Sequence, residues 1–182
     1  RQIVHRQDAI GTPKAESAQR TLAAINPEVR VNAVAERIAG ARLDQLLADA
    51  DIVLDCSDNF ATRHAVNRAC VAQRKPLVSG AAVQFDGQIA AFDLRDARAP
   101  CYACLFPDQA GDNEDMRCAV MGIFAPLTGI IGTLQAAEAI KLVAGIGESL
   151  AGRLVIFDAL ASSWRTVRLT RDPECAACAG RG

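Results

Sequence analysis

Apolar residues follow two alternating patterns along this chain of 182 residues, one typical of helices and one typical of buried strands. Ala18, Leu22 and Ile25 share one helical face, and the stretch starts at Thr12-Pro13, a capping residue followed by a proline suited to the first helical turn. Residues 51–56 are continuously apolar between acidic ends, a pattern typical of a central parallel strand that is buried on both faces. The first third of the chain therefore indicates an α/β protein.

The remaining pattern continues this alternation and ends in a β-rich segment. The alternation predicts a Rossmann-like doubly wound sheet, mostly parallel, with an antiparallel C-terminal extension. We expect residues 1–182 to form a single domain. The predicted helices cover residues 12–25, 43–47, 62–73 and a long segment from about Pro126 to Gly145, and the predicted strands cover 29–34, 51–56, 87–94, a strand that begins at 76–79, and a hairpin of 153–158 with 166–169.

The long helical segment raises the question of a membrane span. Residues 121–137 are almost uncharged, but Pro126 lies near the start, and Gln135, Glu138 and Lys141 recur at helical spacing. A spanning helix needs about 20 consecutive apolar residues. The pattern therefore predicts a buried helix of a soluble domain, and no membrane partner.

Composition and charge exclude several classes of function. The hydrophobic fraction of 51% is globular rather than disordered. A net charge of −1 at pH 7 provides no basic surface for nucleic acid and no polycationic membrane patch. Seven cysteines without a signal peptide indicate a reducing compartment, and we expect a cytoplasmic protein. The chain begins at Arg1 rather than methionine, and we expect a fragment of a longer protein.

Four cysteines form two pairs with the same spacing, Cys101 with Cys104 and Cys175 with Cys178. Two intervening residues allow both thiolates of a pair to reach one metal ion, and zinc accepts four sulfurs in a tetrahedron. A closed four-cysteine shell leaves no coordination position for substrate, so the predicted zinc site is structural. Two disulfides, or unrelated thiols, are the alternatives.

Polar residues follow the strand predicted at 51–56, and ligands of open α/β sheets bind beyond the carboxyl ends of strands. Asp58 suits a hard cation such as Mg²⁺, and Asn59 suits a ribose or phosphate. The alternative, which is favoured for these residues alone, is that they cap the next helix. Lys14 lies in a first helical turn, where a cation is unfavourable unless an anion such as a polyphosphate is nearby. An ordinary solvated lysine is the alternative.

Cys118 lies outside the two cysteine pairs and follows the polar segment 108–117, which the sequence predicts to be a loop. Arg117 beside it favours the thiolate, so a reactive thiol is expected. Cys56 and Cys70 fall within a predicted strand and helix, and we expect both to be buried small hydrophobic residues.

Several of these segments together resemble the ThiF/MoeB/HesA family, bacterial relatives of ubiquitin-activating enzymes. The similarity extends over essentially the whole chain, and the joint pattern is specific. The matching segments are Arg1-Gln2-Ile3, Gly11-Thr12-Pro13-Lys14, Leu54-Asp55-Cys56-Ser57-Asp58-Asn59 with Thr62-Arg63, Val78-Ser79-Gly80-Ala81, Gly87-Gln88, both cysteine pairs, Ala125-Pro126-Leu127 and residues 135–141.

The resemblance implies a sulfur-carrier adenylyltransferase. Such enzymes use ATP and Mg²⁺ to adenylate the C-terminal Gly-Gly carboxylate of a small ubiquitin-like sulfur carrier of the ThiS or MoaD type. A sulfur donor such as a cysteine desulfurase then supplies the sulfur for a thiocarboxylate. Thiamine and molybdenum-cofactor biosynthesis both fit. Members of this family are homodimers, and we expect the same here.

The resemblance also implies roles for individual residues. Arg1 and Lys14 would contact the phosphates, Asp58 would bind Mg²⁺ and Asn59 would hold the nucleotide. Cys118 matches the loop cysteine that can form an acyl-persulfide link in ThiF-like members. The set Cys101, Cys104, Cys175 and Cys178 falls where the family binds Zn²⁺.

One departure from the family pattern concerns the nucleotide site. The glycine-rich turn, the acidic ribose-binding residue and an arginine finger all precede, in the family, the arginine that corresponds to Arg1. We therefore expect this chain to hold part of the ATP site. Two alternatives remain: a non-catalytic zinc-stapled α/β module that binds a ubiquitin-like partner, and a family member that activates another carboxylate, as in a tRNA-modifying relative.

Overall fold

The computed structural model describes residues 2–108 and 122–181. It divides the chain into two compact units, Arg1–Ile38 and Ala39–Gly182. Cys118 lies outside the described residues, and so does Arg1. The expectation of one domain over residues 1–182 stays a prediction.

The first unit contains one α-helix, α1 (Lys14–Ile25), with Pro13 as its N-cap. The helix therefore starts one residue later than predicted, because Pro13 rather than Thr12 is the cap. Residues 29–34 form no strand within the described part of this unit, so that prediction was wrong. A strand needs a neighbouring strand for its backbone groups, and here the carbonyl of Val31 accepts a hydrogen bond from Gln19 Nε2 at 2.5 Å instead.

The second unit contains a five-stranded sheet in which the strands follow chain order. Among these strands, β1 and β2 are parallel and the other neighbours are antiparallel. The prediction of a mostly parallel sheet was wrong for the described strands. Short connections join β2 to β3 and β4 to β5 as antiparallel hairpins, and β3 and β4 also pair antiparallel across a long connection. The strands are β1 (Val53–Asp55), β2 (Leu77–Val83), β3 (Asp86–Phe92), β4 (Arg153–Asp158) and β5 (Ser163–Arg168).

Strand β1 lies at one edge of this sheet and pairs with β2. Leu54 in β1 is 40% exposed. The prediction of a central strand buried on both faces was therefore wrong, because an apolar run of this length does not specify how many neighbours a strand has.

Helices cover both faces of the sheet, which confirms the predicted α/β class. Leu77 and Phe92 pack in one core cluster with residues of helix α3 (Phe60–Gln73), whereas their neighbours Val78 and Ala91 pack in a second cluster with Leu142 of helix α5 (Ala125–Ala144). Successive strand residues point to opposite faces, so α3 and α5 lie on opposite sides. In the described residues of this unit the helices are α2 (Gly40–Ala48), α3 (Phe60–Gln73), α4 (Tyr102–Leu105) and α5 (Ala125–Ala144).

Helix α5 matches the helix predicted from Pro126 to Gly145. Pro126 occupies its first turn, and Gly145 ends it in a left-handed conformation with φ of 64°, as glycine readily does. In length and apolar composition it also satisfies the criterion for a membrane-spanning helix. Its buried face, however, includes Gln135 and Glu138, which bond to the rest of the unit as a core helix does.

Two glycines allow α5 to lie close to the sheet. A Cβ atom at Gly80 of β2 would lie 2.3 Å from Gln135 Oε1. A Cβ atom at Gly87 of β3 would lie 2.7 Å from Cδ1 of Ile131. Both distances are far below van der Waals contact, so a larger residue at either strand position would force the side chain of Gln135 or Ile131 to shift.

Candidate functional site

The loop Asp55–Asn59 leaves the carboxyl end of β1 and leads into α3, the position at which open α/β sheets bind ligands. Asp55 is buried, and its Oδ1 accepts a hydrogen bond from Ser57 N at 2.9 Å. The hydroxyl of Ser79, in the neighbouring strand β2, donates to Asp55 Oδ2 at 3.4 Å. Asp55 therefore folds the loop back on the end of the sheet.

Two helices complete the support of this loop. Arg63 of α3 is buried, and its Nη2 donates to the carbonyl of Ser57 at 2.7 Å. Gln135 of α5 donates through Nε2 to the carbonyls of Asp55 at 2.9 Å and Val78 at 3.3 Å. Sequence reasoning assigned no role to Arg63 or Gln135. The signal for Gln135 was a polar residue on the apolar stripe of a helix.

Asn59 caps α3, as the alternative interpretation proposed. Its Oδ1 accepts from Thr62 N at 2.8 Å, and its Nδ2 donates to Asp58 Oδ1 at 3.5 Å. Asp58 is exposed beside this cap. The structure therefore brings the two predicted ligand residues together on a supported loop. Their roles toward Mg²⁺ and nucleotide stay predictions.

The two cysteines near this loop differ from each other. Cys70 is fully buried in α3, as predicted, and burial together with the charge of Asp55 raises the pKa of its thiol to about 12. Cys56 is exposed, so the prediction that it is a buried hydrophobic residue was wrong, because the strand ends before it. Its Sγ donates to Gln135 Oε1 at 3.5 Å, and partial desolvation of the thiol and then Asp55 raise its pKa.

The four cysteines of the two pairs converge on one point. Their sulfur atoms all lie within 4.8 Å of one another. The distances from Cys101 Sγ are 3.9 Å to Cys104 Sγ and 3.7 Å to Cys175 Sγ, and Cys104 Sγ lies 3.5 Å from Cys178 Sγ. Both pairs adopt the same turn, in which the second cysteine's N–H donates to the first one's carbonyl at 3.1 Å. The cysteine cluster is defined by these four residues.

The spacing of the cysteine cluster fits a tetrahedral metal ion. Metal–sulfur bonds of about 2.3 Å imply sulfur–sulfur edges of about 3.8 Å, close to the observed 3.5 to 3.9 Å. A disulfide needs a sulfur–sulfur distance of about 2.05 Å, so the observed distances exclude the disulfide alternative. Burial raises the pKa of the Cys101 and Cys104 thiols, so a bound metal must displace their protons. The cluster could therefore hold a metal ion.

Two arginines hold the C-terminal tail around the cysteine cluster. Arg171 Nη2 donates to the carbonyls of Cys178 at 2.7 Å and of Ala179 at 3.1 Å. Arg181 reaches the segment before α4 and donates to the carbonyls of Leu94 at 3.2 Å and Ala99 at 2.5 Å. The cluster thus joins the tail to residues more than seventy positions earlier in the chain.

The remaining predicted site residues lie elsewhere. Lys14 is exposed at the start of α1, in the first compact unit. Arg1 and Cys118 fall outside the described residues. Their predicted roles toward phosphate and sulfur stay predictions.

Comparison with known proteins identifies one family. The ThiF family model matches residues 1–177. The chain is 44% identical to the sulfur carrier protein adenylyltransferase of Thermus thermophilus, covering 98% of this chain and 67% of that protein. It is 43% identical to the molybdopterin-synthase adenylyltransferase of Escherichia coli, covering 98% and 70%. It is 41% identical to the sulfur carrier protein ThiS adenylyltransferase of the same organism, covering 99% and 70%.

Solved structures support the fold. The crystal structure of Escherichia coli MccB matches with a TM-score of 0.80 at 22% sequence identity, covering 98% of this chain and 53% of that chain. This chain thus spans about two thirds of the length of the sequence relatives and about half of the solved structure. At this identity the likeness concerns the fold, and it confirms the predicted Rossmann-like class.

Proposed function

This chain belongs to the ThiF family, and we propose that it is part of an ATP-dependent adenylyltransferase. Its substrate is the C-terminal Gly-Gly carboxylate of a small ubiquitin-like sulfur carrier, of the ThiS or MoaD type. The names of three relatives at 41–44% identity support this substrate class. The carboxylate displaces pyrophosphate from ATP, and the resulting acyl-adenylate is the precursor of a thiocarboxylate.

The supported loop Asp55–Asn59 is the observation that carries this proposal. Ser79, Arg63 and Gln135 come from a strand and two helices on opposite faces of the sheet, and all three bond to this one loop. A loop held from three sides keeps the exposed Asp58 in one place at the edge where nucleotides bind. Such fixed placement is what phosphoryl chemistry requires of the protein.

Asp58 would hold Mg²⁺, since its exposed carboxylate provides the hard oxygen ligand that this ion prefers. The ion, when bound, neutralises charge on the leaving polyphosphate. Asn59 uses its carbonyl oxygen for the helix cap and has its amide N–H groups on the same side as Asp58, where they could donate to ribose or phosphate. Lys14 and Arg1 would contact the phosphates.

The metal of the cysteine cluster is Zn²⁺ in this proposal. A closed shell of four sulfurs is typical of structural zinc, and the sulfur–sulfur distances support tetrahedral geometry. Cys101, Cys104, Cys175 and Cys178 would fill every coordination position. The ion therefore stabilises the tail and takes no part in adenylation.

Exchange of labelled pyrophosphate into ATP tests the adenylation directly, in a full-length protein that contains this chain. We expect carrier-dependent exchange, and a loss of at least ~100-fold in Asp58→Ala, because the variant lacks a metal ligand worth several kcal/mol in the transition state. Asp51→Ala is the matched control, since Asp51 is exposed just before β1, at the opposite end of the same strand. Its exchange should equal that of the parent.

Two outcomes would contradict the proposal. Near-normal exchange by a folded Asp58→Ala protein would show that Asp58 is not a ligand of the site. Binding of the carrier without any exchange by the parent would favour the non-catalytic zinc-stapled module. Exchange measured with a ThiS-type or a MoaD-type carrier separates the two pathways. Sequence identity does not, since it is 43% to the molybdopterin-synthase adenylyltransferase and 41% to the ThiS adenylyltransferase.

The assembly and setting of the protein are part of the same proposal. We expect a cytoplasmic homodimer that receives sulfur from a donor such as a cysteine desulfurase, with Cys118 acting in sulfur transfer rather than in adenylation. Ile140 and Val143 support the dimer, because they are 61% and 62% exposed on α5 and would gain from burial against a second copy. A monomer in light scattering of the full-length protein would contradict it.

A further inference from the structure

Asn67 is a fully buried polar residue that the adenylation site does not use. It lies in α3, with 0% of its surface exposed. A buried amide is costly unless its donor and acceptor groups are both satisfied. The partners of Asn67 therefore indicate why α3 carries an amide at this position.

Both partners of Asn67 belong to the turn that carries the first cysteine pair. Asn67 Oδ1 accepts a hydrogen bond from Tyr102 N at 2.9 Å. Asn67 Nδ2 lies 3.6 Å from Cys101 Sγ and donates to it, a normal distance for a sulfur acceptor. An amide side chain can accept from a backbone N–H and donate to a sulfur at once.

We propose that Asn67 is a positioning residue for the metal of the cysteine cluster, holding Cys101 by a hydrogen bond to its sulfur. The proposal rests on the metal binding proposed above. An N–H directed at a metal-bound thiolate stabilises its negative charge and fixes its orientation. In a buried environment such a hydrogen bond is stronger than in water.

Two backbone N–H groups also donate at this cluster. Asp172 N donates to Cys104 Sγ at 3.5 Å, and Cys101 N donates to the same sulfur at 3.4 Å. Asn67 is different because its side chain belongs to α3, the helix whose first residues follow Asp58 and Asn59. Metal binding is thereby linked to the helix that starts at the candidate nucleotide site.

The variant Asn67→Asp tests this role. Aspartate has the shape of asparagine and still accepts from Tyr102 N, but its carboxylate cannot donate to sulfur and places a negative charge beside the thiolates. We expect the affinity for Co²⁺ and Zn²⁺ to fall by roughly 10- to 100-fold, measured by competition with a chelator and by the thiolate–Co²⁺ absorption bands.

Asn26→Asp is the matched control. Asn26 also accepts a hydrogen bond from a backbone N–H, that of Glu28 at 3.0 Å, and it is exposed outside the second unit. The same substitution at Asn26 should leave the metal affinity of the cysteine cluster unaltered. A folded Asn67→Asp protein with the metal affinity of the parent would overturn the proposal.

A second measurement uses the parent protein and needs no variant. With ¹¹³Cd in the cluster, scalar coupling through hydrogen bonds connects the metal to each N–H group that donates to a ligand sulfur. Coupling to the Asn67 side-chain amide is the expected result. Coupling to the backbone N–H of Asp172 but not to Asn67 would refute the role even if Asn67→Asp failed to fold. A parent that binds no metal would instead overturn the metal site itself.

Discussion

At the scale of single residues, the position of Asp58 depends on side chains other than its own. Arg63 carries one of these contacts, and its guanidinium also lies 5.9 Å from the centroid of the Phe60 ring. A buried cation that donates to a backbone carbonyl is worth more than a solvated one, because water cannot replace the lost contact. Arg63 is therefore a structural support of the loop.

Two arginines of α3 allow the contribution of Arg63 to stability to be measured. We expect Arg63→Met to lower the free energy of unfolding by about 2 kcal/mol, since it removes a charged hydrogen bond in a buried setting. Arg68→Met is the control: Arg68 bonds to Asp108 at 2.8 Å, but both side chains are more than half exposed, and such surface pairs contribute about 0 to 1 kcal/mol. Urea unfolding measures both variants, and equal losses would contradict the assignment.

At the scale of elements, the fold depends on the close approach of α5 to β2 and β3. Gly80 leaves room for Gln135, and Gln135 in turn holds the carbonyls at the ends of β1 and in β2. One strand glycine and one helix glutamine thus act as a pair. A change in either affects the loop that carries Asp58.

Glycine-to-alanine changes at two positions should have opposite signs. Gly80→Ala places a methyl group against Gln135, and we expect it to destabilise the protein by ~1 to 3 kcal/mol. Gly129→Ala adds a methyl group on α5 where no atom lies within 4 Å, and we expect it to stabilise by ~0.5 to 1 kcal/mol through helix propensity. Denaturant midpoints compare the two, and a tolerated Gly80→Ala would contradict the close packing.

At the scale of the whole molecule, the cysteine cluster is a link between distant parts of the chain. Cys101 caps α4 and Cys104 lies within it, while Cys175 and Cys178 lie in the tail. Bound metal would close this long loop and add its binding free energy to folding. The tail is the part whose order depends most on the metal.

Removal of the metal should therefore lower the stability of the protein while the sheet stays folded. A chelator should lower the unfolding midpoint and expose the segment after Arg171 to proteases, with the far-ultraviolet circular dichroism of the sheet and helices retained. Cys178→Ser should behave in the same way, whereas Cys56→Ser, outside the cluster, should retain the metal. A tail that stays protected after complete metal removal would contradict this prediction.

A metal bound by the cysteine cluster would also make stability dependent on pH. Burial raises the pKa of Cys101 and Cys104 above that of a free thiol, and the metal binds only the deprotonated sulfurs. The contribution of the metal is therefore present at high pH and is lost as the pH falls, because protons compete for the sulfurs. We expect chelator competition to show weaker binding at about pH 6 than at about pH 8.

Local signals were sufficient for most helices and for the cysteine cluster. Proline and glycine placed the ends of α5 to within a residue, because these residues act on the backbone directly. The four cysteines were found from spacing, since a turn of two residues brings paired thiolates to one point. Asp58 and Asn59 were predicted as ligand residues because a polar pair follows an apolar strand, and that role stays a prediction.

Contacts between distant residues were beyond the reach of these signals. The direction of the strands was wrongly predicted because it depends on which segments become neighbours in the sheet. The apolar run at 51–56 and the segment 29–34 do not encode those neighbours. The roles of Arg63, Gln135 and Asn67 depend on which carbonyl or sulfur each side chain meets across the unit. Periodicity and spacing are properties of neighbours in sequence, so they were enough to predict most of the elements and the cysteine cluster. The sheet order and the side chains that support the loop depend on packing between elements, so they could be read only from the folded chain.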